Sequence, residues 1–162
     1  MRVSLSSIVL GVFSVCTAFL VEIAAVRTAY RGAINSSAKA DELVKLAGER
    51  KSNALFKAYY GTGKALQAKH GWNPLTRFNL AKEAAAELNA AVTAESKNLE
   101  IRFLRFSFEA NAPSLLGLTL HTTEDKKWIL SHLDKNHAMW DVMKTFLKSC
   151  SLLTAAEKQT LN

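Results

Sequence analysis

The chain has 162 residues, room for one domain, and 49% of them are hydrophobic, enough to build a packed core and to exclude wholesale disorder. Lysine and arginine outnumber aspartate and glutamate 21 to 14, a formal net charge of +7. The basic residues are dispersed, so the excess reads as solubilising charge and no nucleic-acid partner is expected.

The N-terminus carries Arg2, then the apolar run Ile8-Val9-Leu10-Gly11-Val12-Phe13-Ser14-Val15, then Cys16-Thr17-Ala18. A charged start, an apolar stretch and small residues make the tripartite form of a secretory signal, read here as residues 1–18. Two alternatives remain open: an anchor retained over residues 8–26, the one reading that gives the protein a membrane contact, and a lipid-modified Cys16. Export places the body in the periplasm. Removal of Cys16 leaves Cys150 alone, so no intramolecular disulfide is expected, and its apolar spacing with Met143, Phe146 and Leu147 predicts a buried thiol.

The body is read from Ser36 to the C-terminus, residues 36–162, as one α-helical domain, because its apolar spacing is three-to-four throughout. Ser36 or Ser37 opens a first helix with Leu43, Leu46 and Ala47 on one side. Asn53 caps the next, with a stripe of Leu55, Tyr59, Thr62 and Leu66, and Gly71 suits a left-handed ending. Asn73-Pro74 supplies a cap and a first-turn proline to a helix with Leu75, Phe78, Ala81, Ala85, Leu88 and Val92 on one face. Leu99 to Ala110 is apolar almost all round, as expected of a central helix. Thr122 is placed as the cap of a helix bearing Trp128 and Ile129, Met139 to Leu147 mark another, and Thr154-Ala155-Ala156-Glu157 is a capping box.

Chemistry-bearing motifs are sparse. Gly61-Thr62-Gly63-Lys64 lacks the upstream glycine and the following Ser or Thr of a phosphate loop, and it lies inside a helical pattern, so it reads as packing. His70, His121, His132 and His137 have no zinc spacing, and no nucleophile elbow is present; no cofactor or metal is expected. The constellation that stands out is Arg102, Arg105 and Glu109, one face of the most apolar helix. Buried guanidinium groups require acceptors, and Glu100, Glu109 and the Glu124-Asp125 pair are the candidates. The set Arg102, Arg105, Glu109, Glu124 and Asp125 is thus a structural charge network or, in the alternative, a small-anion or enzymatic site.

The segment from Asn53 to Phe106 resembles a degenerate tetratricopeptide-type helix pair: Tyr60-Gly61 matches its large-then-glycine position, and Ala84, Leu88, Ala91 and Val92 follow its second-helix spacing. Ser96 replaces the repeat's proline, and the Gly61–Ala84 spacing is longer than the repeat's. From Asn53 onward, the strings Asn98-Leu99-Glu100-Ile101-Arg102-Phe103-Leu104-Arg105-Phe106-Ser107, Asn111-Ala112-Pro113, Leu116-Gly117 and Glu124-Asp125-Lys126 are similar to those of a family of small exported proteins from bacteria with two-membrane envelopes, whose activity is unassigned. That resemblance implies export and an α-helical body. The expected function is therefore a non-enzymatic envelope protein that binds another protein or aids assembly.

Overall fold

The structure is a computed structural model that describes residues 5–113 and 116–162, with side chains from Phe19 onward. The leader ending at Ala18 and the Cys16 alternative fall outside the described side chains. Among the described residues there are eight helices and no strand: α1 (Leu5–Ala33), α2 (Ser37–Gly48), α3 (Ala54–His70), α4 (Pro74–Ala94), α5 (Leu99–Asn111), α6 (Thr122–Ser131), α7 (Trp140–Ser149) and α8 (Ala155–Gln159).

Side-chain caps start most of them. The Ser36 hydroxyl accepts from the Lys39 amide at 3.4 Å, and the Asn53, Asn73 and Asn98 carbonyls accept from Leu55 (2.9 Å), Thr76 (3.0 Å) and Glu100 (3.1 Å). Thr154 and Glu157 form the reciprocal capping box. Two expected termini differ. Gly71 is extended (φ −70°, ψ 150°), and a Cβ there would lie 3.3 Å from Cγ of Arg77, so close approach of α4 and not a left-handed turn explains the glycine. Thr122 is the first helical residue of α6 and not its cap; the preceding His121 amide donates to the Glu109 carboxylate at 2.7 Å, tying the helix start to α5.

The short connections 34–36, 49–53, 71–73 and 95–98 fold α2, α3, α4 and α5 each back along its predecessor. α3 lies at the centre, packed on α1, α2, α4 and α5. Its glycines allow this. A Cβ on Gly61 would meet the Ala84 carbonyl at 3.1 Å, and one on Gly63 would overlap Val44 Cγ2 at 2.7 Å. α5 is buried along its length, and Phe103 and Phe106 meet Phe146 of α7 edge-on at 5.6 and 6.1 Å.

The core begins before Ser36. Ile23, Val26, Ala29, Tyr30 and Ala33 of α1 are buried at helical spacing, Phe19 packs on Phe56 at 5.8 Å, and Tyr30 meets Tyr59 at 5.7 Å. Ile23 and Val26 continue the N-terminal apolar run, which is why the sequence pattern reached them only through the anchor alternative over residues 8–26, and Ala29, Tyr30 and Ala33 lie between that stretch and the body as read from Ser36. Similarly, the apolar stripe of α4 is only partly core: Ala81, Leu88 and Val92 are buried, whereas Leu75 is 69% exposed and Phe78 39%. α4 has 21 residues and α5 has 13, so at 1.5 Å per residue the first turns of α4 overhang α5 by about 12 Å.

A chain beginning at Phe19 is expected to keep the melting temperature of the full chain, and one beginning at Ser36 to melt far lower or fail to fold. Thermal denaturation of the two truncations, followed by circular dichroism, checks this.

Candidate functional site

α5 carries four buried charges, and they are answered from three parts of the fold: α1, the His121 segment and α6. Asp125, fully buried in the first turn of α6, stands between both arginines: Arg102 Nη1 donates to Oδ1 at 2.7 Å, and Arg105 donates from Nε to Oδ2 at 2.7 Å and from Nη2 to Oδ1 at 2.8 Å. Arg102 also donates to Glu124 at 2.7 Å and to the Ser96 carbonyl at 2.6 Å, and it stacks over Trp128 with 5.2 Å to the ring centroid. Arg105 Nη1 reaches Asn89 of α4 at 3.2 Å. Burial works against the Arg102 charge, but hydrogen bonds to Glu124 and Asp125 outweigh it and hold the guanidinium above its ordinary range; the same bond to Arg102 lowers the Glu124 carboxyl.

The structure thus brings Arg102, Arg105, Glu124 and Asp125 together and leaves Glu109 apart. Glu109 lies one turn beyond Arg105 and takes the His121 backbone amide and Nδ1 (2.8 Å). At the other end of α5, Glu100 is 1% exposed and meets Arg27 of α1 in a two-point pair (Nε–Oε1 2.9 Å, Nη2–Oε2 2.6 Å), the Tyr59 hydroxyl, and His137 Nε2 at 3.6 Å. This second cluster escaped the sequence pattern because Arg27 follows the apolar leader and reads as its flank. The spacing of Ile23, Val26, Arg27 and Tyr30 was the available signal.

A different feature is concave. Where α4 overhangs α5, a groove of about 700 Å³ opens between the ends of α1, α3, α4, α5 and α7, in the size range of small-molecule sites. Tyr30, Ile34, Leu66, Phe78, Phe108 and Leu116 supply its apolar wall, and the Thr62 and Ser107 side chains are buried in it. Neither Arg102 nor Arg105 lines it. Beside Phe78, Trp72 is 89% exposed, and with Leu75 it extends an apolar surface along the first turns of α4. Cys150 is a buried free thiol, and among the described residues no three His, Cys, Asp or Glu side chains are placed to hold a metal ion. No family model matches the chain, and it has no significant match among curated proteins or solved structures.

Arg105→Ala leaves the buried Asp125 carboxylate with one of its three hydrogen bonds and is expected to cost about 3–5 kcal/mol, against less than ~0.5 kcal/mol for exposed Lys82→Ala. Urea denaturation of the two variants measures the difference.

Burial pushes the Tyr30 phenol from 10.0 up to about 12. The folded state therefore holds this proton after the unfolded chain has released it. Its contribution is whole below pH 10 and drains away as pH rises from 10 toward 12. Urea midpoints across that window should fall with pH, and less steeply in Tyr30→Phe. The slope does not vanish there, because Tyr59, also raised by burial, persists.

Proposed function

We propose that the protein is a non-enzymatic, exported helical binding protein of the bacterial envelope, and that the groove between α1, α3, α4, α5 and α7 is where it meets its partner. One observation carries this reading: an open apolar concavity lined in part by Pro74 and Phe78 of α4, whose sequence neighbours Trp72 and Leu75 are exposed. The alternative, a small-anion-binding protein or enzyme using Arg102 and Arg105, has less support. Both arginines are 7% exposed or less and are taken up by Asp125, Glu124, Asn89 and the Ser96 carbonyl.

Two further parts of the reading have their own support. The body is tetratricopeptide-like in its central pair, where Gly61 of α3 lies against Ala84 and Leu88 of α4, the contact that the large-then-glycine position serves in that repeat. Among the described side chains, Phe19 packs on the core and Ile23 is buried in it; a cut after Ala18 keeps both, whereas a cut at Ala24 or Ala25 would remove Ile23. Retention of residues 8–26 as an anchor would require Ile23 and Val26 to face lipid, and they are 2% and 1% exposed. Among the described residues, no helix is long and apolar enough to cross a membrane.

The groove reading is tested with the neutral apolar fluorophore N-phenyl-1-naphthylamine. The full-length protein is expected to bind it saturably at one site, and Ala65→Phe, which places a ring in the groove from half-buried Ala65 of α3, is expected to abolish that binding without changing the melting temperature. Binding that is unsaturable, or indifferent to Ala65→Phe in a folded variant, overturns the assignment.

A further inference from the structure

The groove's wall is apolar, but its charge is one-sided. Among the described residues, its charged lining residues are Lys69 and Arg77, both cationic, and none is a carboxylate. Part of the positive charge elsewhere in the fold is answered by carboxylates: Arg27, Arg31, Lys39, Arg50, Lys51, Lys64, Arg102, Arg105 and Lys126 each meet an acidic side chain. Among the described residues, Lys69 and Arg77 form no such ion pair.

Their heads are nevertheless fixed. Lys69 Nζ donates to the Ile34 carbonyl at 2.7 Å, and Arg77 Nε donates to the Ala68 carbonyl at 3.0 Å; Ile34 and Ala68 themselves line the groove. Each bond uses one donor and leaves the others: two on the ammonium, and both terminal nitrogens of the guanidinium, the geometry that takes a carboxylate at two points. Both side chains lie in solvent-reachable positions, so an incoming anion does not have to displace a buried partner.

An apolar trough with two cations at its edge and no anion is complementary to a molecule with an alkyl tail and a single negative head. Resting on the groove reading above, we propose that the occupant is a long-chain carboxylate, its tail laid against Tyr30, Leu66, Phe78 and Phe108 and its head held by Lys69 and Arg77. The volume of about 700 Å³ accommodates a single chain of this kind. Tail and head then contribute separately, the tail by area removed from water and the head by charge-assisted hydrogen bonds at the rim.

The test uses the full-length protein, with hexadecanoate as ligand and displacement of N-phenyl-1-naphthylamine, confirmed by calorimetry, as readout. Hexadecanoate is expected to displace the fluorophore at one site, and dodecanoate to bind more weakly, by up to about four-fold per methylene removed. Hexadecyltrimethylammonium is expected to bind at least tenfold more weakly than hexadecanoate. Lys69→Glu and Arg77→Glu should each weaken hexadecanoate at least tenfold while leaving fluorophore binding unchanged. If the fluorophore occupies the groove but hexadecanoate does not displace it, or if the cationic amphiphile competes equally well, the carboxylate proposal fails while the groove reading survives. Displacement by an amphipathic peptide helix and not by hexadecanoate would likewise overturn it in favour of a protein partner. Absence of saturable fluorophore binding sinks both.

Discussion

Four charges buried on one helix set the terms for the rest of the fold. Glu100, Arg102, Arg105 and Glu109 of α5 are each 7% exposed or less, and a charge removed from water requires a counter-charge and hydrogen bonds inside the protein. The answers come from Arg27 on α1, Tyr59 on α3, Asn89 on α4, Asp125 on α6 and the His121 segment ahead of α6. Apolar packing alone lets helices slide and rotate over one another. A two-point guanidinium–carboxylate pair does not, so α5 fixes the register of its neighbours as well as filling the space between them. Asp125 is the tightest joint, because one fully buried carboxylate serves two arginines and its helix N-terminus favours the negative charge.

Much of this was legible in the sequence, for identifiable reasons. Helix starts are written in short-range chemistry, so Ser36, Asn53, Asn73 and Thr154 were readable as caps without knowledge of tertiary contacts. Arg102, Arg105, Glu124 and Asp125 were readable because charges on an otherwise apolar helix demand partners. What could not be read was partner choice. Glu109 shares a helical face with Arg105, yet the chain beyond α5 returns His121 to it, and Glu100 is claimed by a residue 73 positions earlier. Such pairings depend on where a loop lands, which periodicity does not encode.

The boundary of the body was obscured for a different reason. An apolar leader and a helix packed on a core have the same composition, and here the packed part of α1 follows the N-terminal apolar stretch without punctuation. The distinguishing mark is the alternation of buried Ile23 and Val26 with exposed Ala24 and Ala25, a faint amphipathicity that a leader does not need.

The groove follows from a length mismatch and not from any motif. α4 begins about two turns before α5 provides a surface to cover it, so Leu75 and Phe78, patterned as core, stay 69% and 39% exposed. In a fold selected only for stability, those turns would be short or polar. Here they begin with an exposed tryptophan and run on through Leu75 and Phe78, and the two cations beside them are the lining charges that lack a carboxylate. The charged network and the groove thus divide the molecule. Around most of α5, charge is neutralised inside and the helices are locked together, while past its C-terminal end both apolar surface and positive charge remain unmatched. The rigidity of the first part holds the second open, because the walls of the groove are the ends of helices that α5 keeps in register.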